Sequence, residues 1–290
     1  MINFRYHLVS LAAVLLALGV GIVLGSGPLD DARTPLSSSD DKAGADPALT
    51  SFEDGYADRT GAPLLNGVLD GKTVVLLTTP DARADEVSGI VADLKQSGAT
   101  VTGTLTLTTK LLDPANRQFA EGVAQQAAGD EDAVSGAGDG YGRVGAAIAR
   151  AYVGEGALDE AGSTIASAFT EGDLVSTEKA PTTRASLALV ITGPGTSDAA
   201  KGQGEIIAQL STALAAPGEG AVVSGPSSSS EDGGVVAAVR GGDAAASVST
   251  VDVTDSAAGR VVVALALAQQ ADGTVGSWGT SRSADGALPR

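Results

Sequence analysis

The chain of 290 residues has no cysteine, a single histidine (His7) and a single methionine (Met1). Disulfides, thiolate metal centres, iron–sulfur clusters and thiol nucleophiles are excluded together. His7 and Met1 both precede the first apolar run, so everything after residue 8 lacks imidazole, thiol and thioether. Most metal centres and most base-assisted nucleophiles fall with them. Aromatic residues amount to 3%, against 51 Ala and 39 Gly. A core built here depends on Val, Leu and Ile packed around small side chains.

Positive charge is also scarce. Lys and Arg number 18 against 35 Asp and Glu, a net charge of -17. An acidic surface of this kind repels phosphate backbones, so nucleic acid is a poor partner. The length suits one large domain or two small ones.

What is present begins at the amino terminus. Leu8–Leu24 is an apolar run of seventeen residues in which only Ser10 is polar. About 20 apolar residues cross a bilayer as a helix, and a run of 10–14 would be more at home in a core. Phe4 and Tyr6 sit at the expected interfacial belt, Arg5 supplies the positive flank, and Asp30, Asp31, Asp40 and Asp41 follow on the far side. The positive-inside rule then puts residues 1–7 in the cytoplasm, a transmembrane helix at 8–25, and the remainder outside. The run is longer than a cleavable signal's core, and Gly25-Ser26-Gly27 lacks the usual Ala, which favours an uncleaved anchor. Ala13, Ala17, Gly21 and Gly25 recur every four residues and form a candidate face for helix association.

Residues 26–70 read as a flexible acidic linker, with Gly, Pro, Ser and Asp dominant, and Ser37–Pro47 has no period of 3.6 or 2. Order begins at Gly71. A buried strand at 73–78, a helix over 84–97 ended by Gly98, and an alternating strand over 99–107 make a β-α-β unit. Helices are expected at 113–128 with Asp113 as cap, then at 143–153 and 158–170. Strands follow at 186–192, 220–224 and 246–253, with helices at 206–216, 234–240 and from about Gly259 to Gln270. Five strands alternating with helices predict an open, mostly parallel, Rossmann-like α/β sheet covered on both faces. This domain is assigned to 71–283, with a tail at 284–290.

Three motifs carry some chemistry. Gly140-Tyr141-Gly142-Arg143-Val144-Gly145 fits G-x-G-x-x-G, but an acidic stretch precedes it where a dinucleotide fingerprint needs a strand, so a loop is expected. Ser176-Thr177-Glu178-Lys179 fits S-x-x-K, in a polar setting that does not desolvate the lysine. Gly193, Gly195, Thr196 and Ser197 follow a buried strand at its carboxyl end, where open α/β sheets bind ligands, and form the candidate ligand loop. Paired carboxylates fall in solvated loops and lack the spacing of a calcium site. No catalytic, cofactor-binding or metal-binding residue is assigned.

The opening MINFRYHLVSLAAVLLALGVGIVLGSGPL resembles that of the MctB-type copper transport proteins, described as outer-membrane proteins. So do GKTVVLLTTPDARADEVSGIVADLKQSGATVTGTLTLT, the Asp113–Arg117 segment, and the closing Ala258-Gly259-Arg260-VVVALALAQQADG with Gly276-Ser277-Trp278-Gly279. The resemblance implies an envelope protein of copper homeostasis that helps copper leave the cell. It also implies a coiled-coil stretch after the membrane segment, which residues 30–66 do not show. Copper prefers thiolate, thioether or imidazole, so copper enters as a transported ion and not as a bound cofactor. An outer-membrane barrel needs at least eight alternating strands, and only 100–108 reads as one.

The leading expectation is therefore a membrane-anchored envelope protein of copper homeostasis, not an enzyme, acting through homo-oligomers or other envelope proteins. The alternative is a structural or interaction protein of the envelope whose α/β domain binds a small ligand. The topology is checked by fusing a reporter after Arg290. An export-dependent reporter should be active, and cytoplasmic activity would reverse the orientation.

Overall fold

The computed structural model describes residues 47–289, apart from 139, 178–179 and 196–201, and leaves out the side chains of 47, 49, 50 and 58. The expected transmembrane helix at 8–25, with Ala13, Ala17, Gly21 and Gly25, lies outside the described residues. Among the described residues no helix is long and apolar enough to cross a membrane.

The elements run in order as α1 (Pro47–Leu65), β1 (Thr73–Thr78), α2 (Ala84–Gln96), β2 (Thr100–Leu107), α3 (Arg117–Ala128), α4 (Tyr141–Tyr152), α5 (Glu160–Glu171), β3 (Val175–Ser176), β4 (Leu187–Ile191), α6 (Gln203–Ala215), β5 (Gly220–Ser224), α7 (Val235–Gly241), β6 (Val248–Val251), α8 (Ala257–Ala271) and β7 (Ser277–Trp278). One seven-stranded sheet has the order β3-β2-β1-β4-β5-β6-β7. Every neighbouring pair is parallel except β2 with β3.

Alternation along the central strands divides the core into two layers. Val75, Leu77, Ala188, Val190 and Val223 face one layer, where Ala120, Ala124, Ile148, Ile207 and Val239 come from α3, α4, α6 and α7. Val74, Leu76, Leu187, Leu189 and Val222 face the other, against Leu65, Ile90, Leu94, Val263 and Leu267 of α1, α2 and α8. A strand buried on both faces has no polar side, which is why β1 and β4 read as continuous apolar runs.

Several boundaries differ from expectation. The linker at 26–70 contains α1, and Leu65 and Leu69 are fully buried. Ala57, Gly61 and Leu65 recur every four residues and pack on α8, close enough that a Cβ on Gly61 would lie 2.7 Å from Val261 Cγ2. Phe52, Tyr56 and Leu64 point outward, so apolar residues occupy two sides of the helix and blur its period. The interior Pro63 and two glycines weaken its propensity further; tertiary burial holds it together.

The tail also packs. Asp285 N–H donates to the Ser277 carbonyl at 2.7 Å, and Ser277 N–H donates to Asp285 Oδ2 at 2.9 Å. The sheet has two more strands than expected, β3 and β7, each of two residues and too short to leave a pattern. The helix expected at 113–128 is broken into a 3-10 turn at Pro114–Asn116 and α3.

Val75 is fully buried in the centre of the sheet. Val75→Asp should cost on the order of 4 kcal/mol by burying an unpaired carboxylate. Thermal unfolding measures this, and an unchanged transition would refute the placement of β1.

Candidate functional site

β1 and β4 lie side by side, but their chains leave in opposite directions. β1 feeds α2 on one face of the sheet and β4 feeds α6 on the other. At such a switch point the carboxyl ends diverge and open a crevice, the usual ligand position in doubly wound sheets. The expected loop after β4 stands at this crevice.

Gly193 and Gly195 are buried there, while Thr196 and Ser197 lie outside the described residues. Gly193 N–H donates to Thr79 Oγ1 at 3.2 Å, and Gly195 N–H donates to Asp81 Oδ2 at 3.1 Å. The Thr79 hydroxyl in turn donates to Asp81 Oδ1 at 2.6 Å. The two loops touch so closely that a Cβ at Gly193 would lie 2.2 Å from the Asp81 carbonyl oxygen, and Gly195 has φ +68°. The chain's own Thr79 hydroxyl and Asp81 carboxylate thus take one each of the two backbone donors that an anionic ligand would use. Asp81 is the residue that sequence reasoning missed; the Thr-Thr-Pro-Asp turn after a buried strand was its only signal.

Further along the same edge, Thr254 hydroxyl donates to Glu86 Oε2 at 3.0 Å. Glu86 is 4% exposed, and its Oε1 has no hydrogen bond. The nearest cation is Arg83 Nε at 3.5 Å, and that guanidinium is mostly exposed and paired with Asp85 at 2.8 Å. Burial pushes the Glu86 carboxyl above the usual range, assisted by Asp255 and Asp85 and opposed by Thr254 and Arg83.

A second buried carboxylate is handled differently. Asp252 is fully buried with Arg240, whose Nη1 lies 2.5 Å from Asp252 Oδ2. Ser281 hydroxyl donates to the same oxygen at 2.6 Å, and Thr280 N–H donates to Oδ1 at 2.7 Å. Arg240 also donates to Thr250 Oγ1 at 2.8 Å and to the Trp278 carbonyl at 3.1 Å. Burial pushes Asp252 up, but the Ser281, Thr280 and Arg240 contacts outweigh it and hold the carboxyl below its usual range. This ion pair ties α7, β6 and the carboxyl-terminal segment together.

On the α2 side of the crevice, Thr78, Thr102, Thr104, Thr106, Ser176 and Thr177 help to line an open groove of about 910 Å³ in which no charged residue among the described ones takes part. The remaining motifs stand away from the β1–β4 loop contact. Gly145 lies where α4 crosses α6, with its Cβ position 3.0 Å from Leu210 Cα, so that glycine serves helix packing. Ser176 stands in β3, and Lys179 lies outside the described residues. Among the described residues no three of His, Cys, Asp and Glu gather as a metal-holding group.

The family model for the copper transport outer membrane protein MctB matches residues 1–289. This chain belongs to the MctB family. Relatives named copper transporter MctB from Mycobacterium tuberculosis and Mycobacterium bovis are 32% identical over 311 residues, covering 98% of this chain and of each relative. The Mycobacterium leprae protein of that name is 33% identical over 302 residues, covering 92% of both chains. Family membership connects the chain with copper homeostasis, and the family description points to the outer membrane.

The two buried carboxylates should respond oppositely to pH. Glu86 has a folded-state pKa above its unfolded one, so its contribution to stability is present in acid and lost as pH rises through the folded value. Glu86→Gln should remove that loss and raise the melting temperature at neutral pH relative to wild type. Asp252 has a depressed folded-state pKa, so its contribution is present above the usual aspartate range and lost in acid. Asp252→Ala leaves Arg240 charged and buried, at a cost of about 3–5 kcal/mol. Melting curves across pH test both signs.

Proposed function

We propose that this chain serves copper homeostasis as a membrane-anchored component of the cell envelope, with its amino terminus cytoplasmic and its α/β domain outside. In this reading it works by assembly with other proteins, has no catalytic activity and holds no soft copper site of its own. The observation that carries the reading is Asp81. The crevice where doubly wound sheets hold ligands is taken by the chain's own carboxylate, hydrogen-bonded to Thr79 and Gly195.

The residue inventory supports the same reading for copper. Cu(I) prefers thiolate and thioether, and Cu(II) favours imidazole; beyond residue 8 the chain offers only carboxylates, hydroxyls, amides and amines. Copper is then cargo, attracted weakly by an acidic surface of net charge -17.

Two measurements test it. A deletion strain should accumulate cellular copper without a general increase in envelope permeability; general leakiness alone would favour a purely structural role. The full chain carrying His7→Ala, titrated separately with Cu(I) and Cu(II) against a chelator, should show no stoichiometric binding at sub-micromolar affinity. Tight binding there would overturn the claim that the chain lacks its own copper site.

A further inference from the structure

Six large apolar side chains among the described residues are exposed, and four of them meet in one place: Phe52, Tyr56 and Leu64 of α1, and Leu288 of the carboxyl-terminal segment, at 67%, 62%, 58% and 58% exposure. They line one groove of about 560 Å³ between α1, the first turns of α8 and Pro289. Phe52 and Tyr56 are stacked, with ring centroids 6.3 Å apart and planes at 24°. Monomeric proteins seldom leave large side chains gathered in this way, and rimmed apolar patches mark interaction sites.

The rim identifies the chemistry of the occupant. Among the described residues, Glu53, Asp54 and Asp255 are the charged residues lining the groove, and no lysine or arginine among them lines it. Asp54 is engaged, with Oδ1 accepting from Ala257 N–H at 3.2 Å, and Asp255 accepts from the Ser227 hydroxyl at 2.8 Å. A second copy of an acidic chain would bring the same acids against each other about a two-fold axis, and an anionic lipid surface would be repelled. An apolar floor with a purely acidic rim suits a helix that carries apolar anchors on one side and lysine or arginine on its flanks.

We propose that this groove docks a basic amphipathic helix of another polypeptide, with Phe52, Tyr56, Leu64 and Leu288 as the apolar seat and Glu53 and Asp255 as the cation-facing rim. The proposal rests on the reading that the chain acts through partners, and names the surface and the kind of partner.

The probe is a fluorescent amphipathic peptide of leucine and lysine, with a leucine and glutamate counterpart, titrated against the full chain in zwitterionic nanodiscs after subtraction of empty discs. The leucine–lysine peptide should bind and its acidic counterpart should not. Phe52→Ser with Leu64→Ser, which leaves charge unchanged and alters only exposed positions, should weaken binding at least tenfold without moving the melting temperature. Glu53→Gln with Asp255→Asn should weaken it severalfold and reduce its dependence on salt.

Binding indifferent to Phe52 and Leu64 would overturn the proposal, because diffuse attraction to a net charge of -17 would explain it. A doubled mass by sedimentation that Phe52→Ser abolishes would also overturn it, in favour of a second copy. Neither result bears on cellular copper in the deletion strain, so the two readings fail separately.

Discussion

Close approach between small residues is the constraint on which this fold depends. A chain with 51 Ala, 39 Gly and few aromatics cannot fill wide gaps between layers. Neighbouring helices within each layer therefore come together at glycines. A Cβ at Gly145 would lie 2.8 Å from Ala213 where α4 meets α6, and one at Gly204 would lie 2.6 Å from Ala238 where α6 meets α7. Gly61 stands in the same relation to Val261 between α1 and α8, and a Cβ at Gly259 would fall 1.6 Å from the Val253 carbonyl oxygen. Dispersion gains per atom are small and fall steeply with distance, so a core of short side chains needs this contact to reach ordinary packing density. Enlarging any of these positions over-packs the core, typically costing about 1–3 kcal/mol.

The same economy of space shapes the carboxyl edge of the sheet. At the switch point, Gly193 lets the β4 loop reach the turn after β1, and the contact leaves Asp81 bonded where a ligand would stand. Thr192 N–H donates to the Ser224 carbonyl at 2.8 Å, and Gly225 N–H donates to the Val251 carbonyl at 2.9 Å. The ladder therefore continues past the strand ends from β4 to β6. A fold whose architecture suits ligand binding here spends its polar groups on itself. The hydroxyl-lined groove and the apolar patch on α1 remain open at the surface.

The sequence made the centre of the fold legible and its margins opaque, for one reason. β1 and β4 are buried on both faces and display continuous apolar runs, and α2 packs one face and displays a helical period. α1 buries Ala57, Gly61 and Leu65 on one side and exposes Phe52, Tyr56 and Leu64 on another, so its period is lost. β3 and β7 are two residues long, below the length at which alternation can be read. The loop after β4 stands at the carboxyl end of its strand, as its sequence places it, with Gly193 and Gly195 buried. Its hydrogen-bond partner Asp81 was invisible because the two loops are more than a hundred residues apart in the chain.

Among 35 acidic residues, the buried ones show how the fold manages its charge. Asp252 is ringed by a guanidinium, a hydroxyl and a backbone N–H, and remains ionised at the cost of immobilising the carboxyl-terminal segment around it. Glu86 has one hydroxyl donor and a distant, mostly exposed arginine, and burial prevails over both. A full partner set makes a buried carboxylate a clamp, whereas a half set makes it a site of acid-dependent stability. The clamp lies where β7 and the tail must be held, and the half-satisfied carboxylate lies at the crevice end of α2. The acidity of the chain is therefore differentiated: clamped at Asp252, half-satisfied at Glu86, and presented outward around the α1 groove, where a basic partner would meet it.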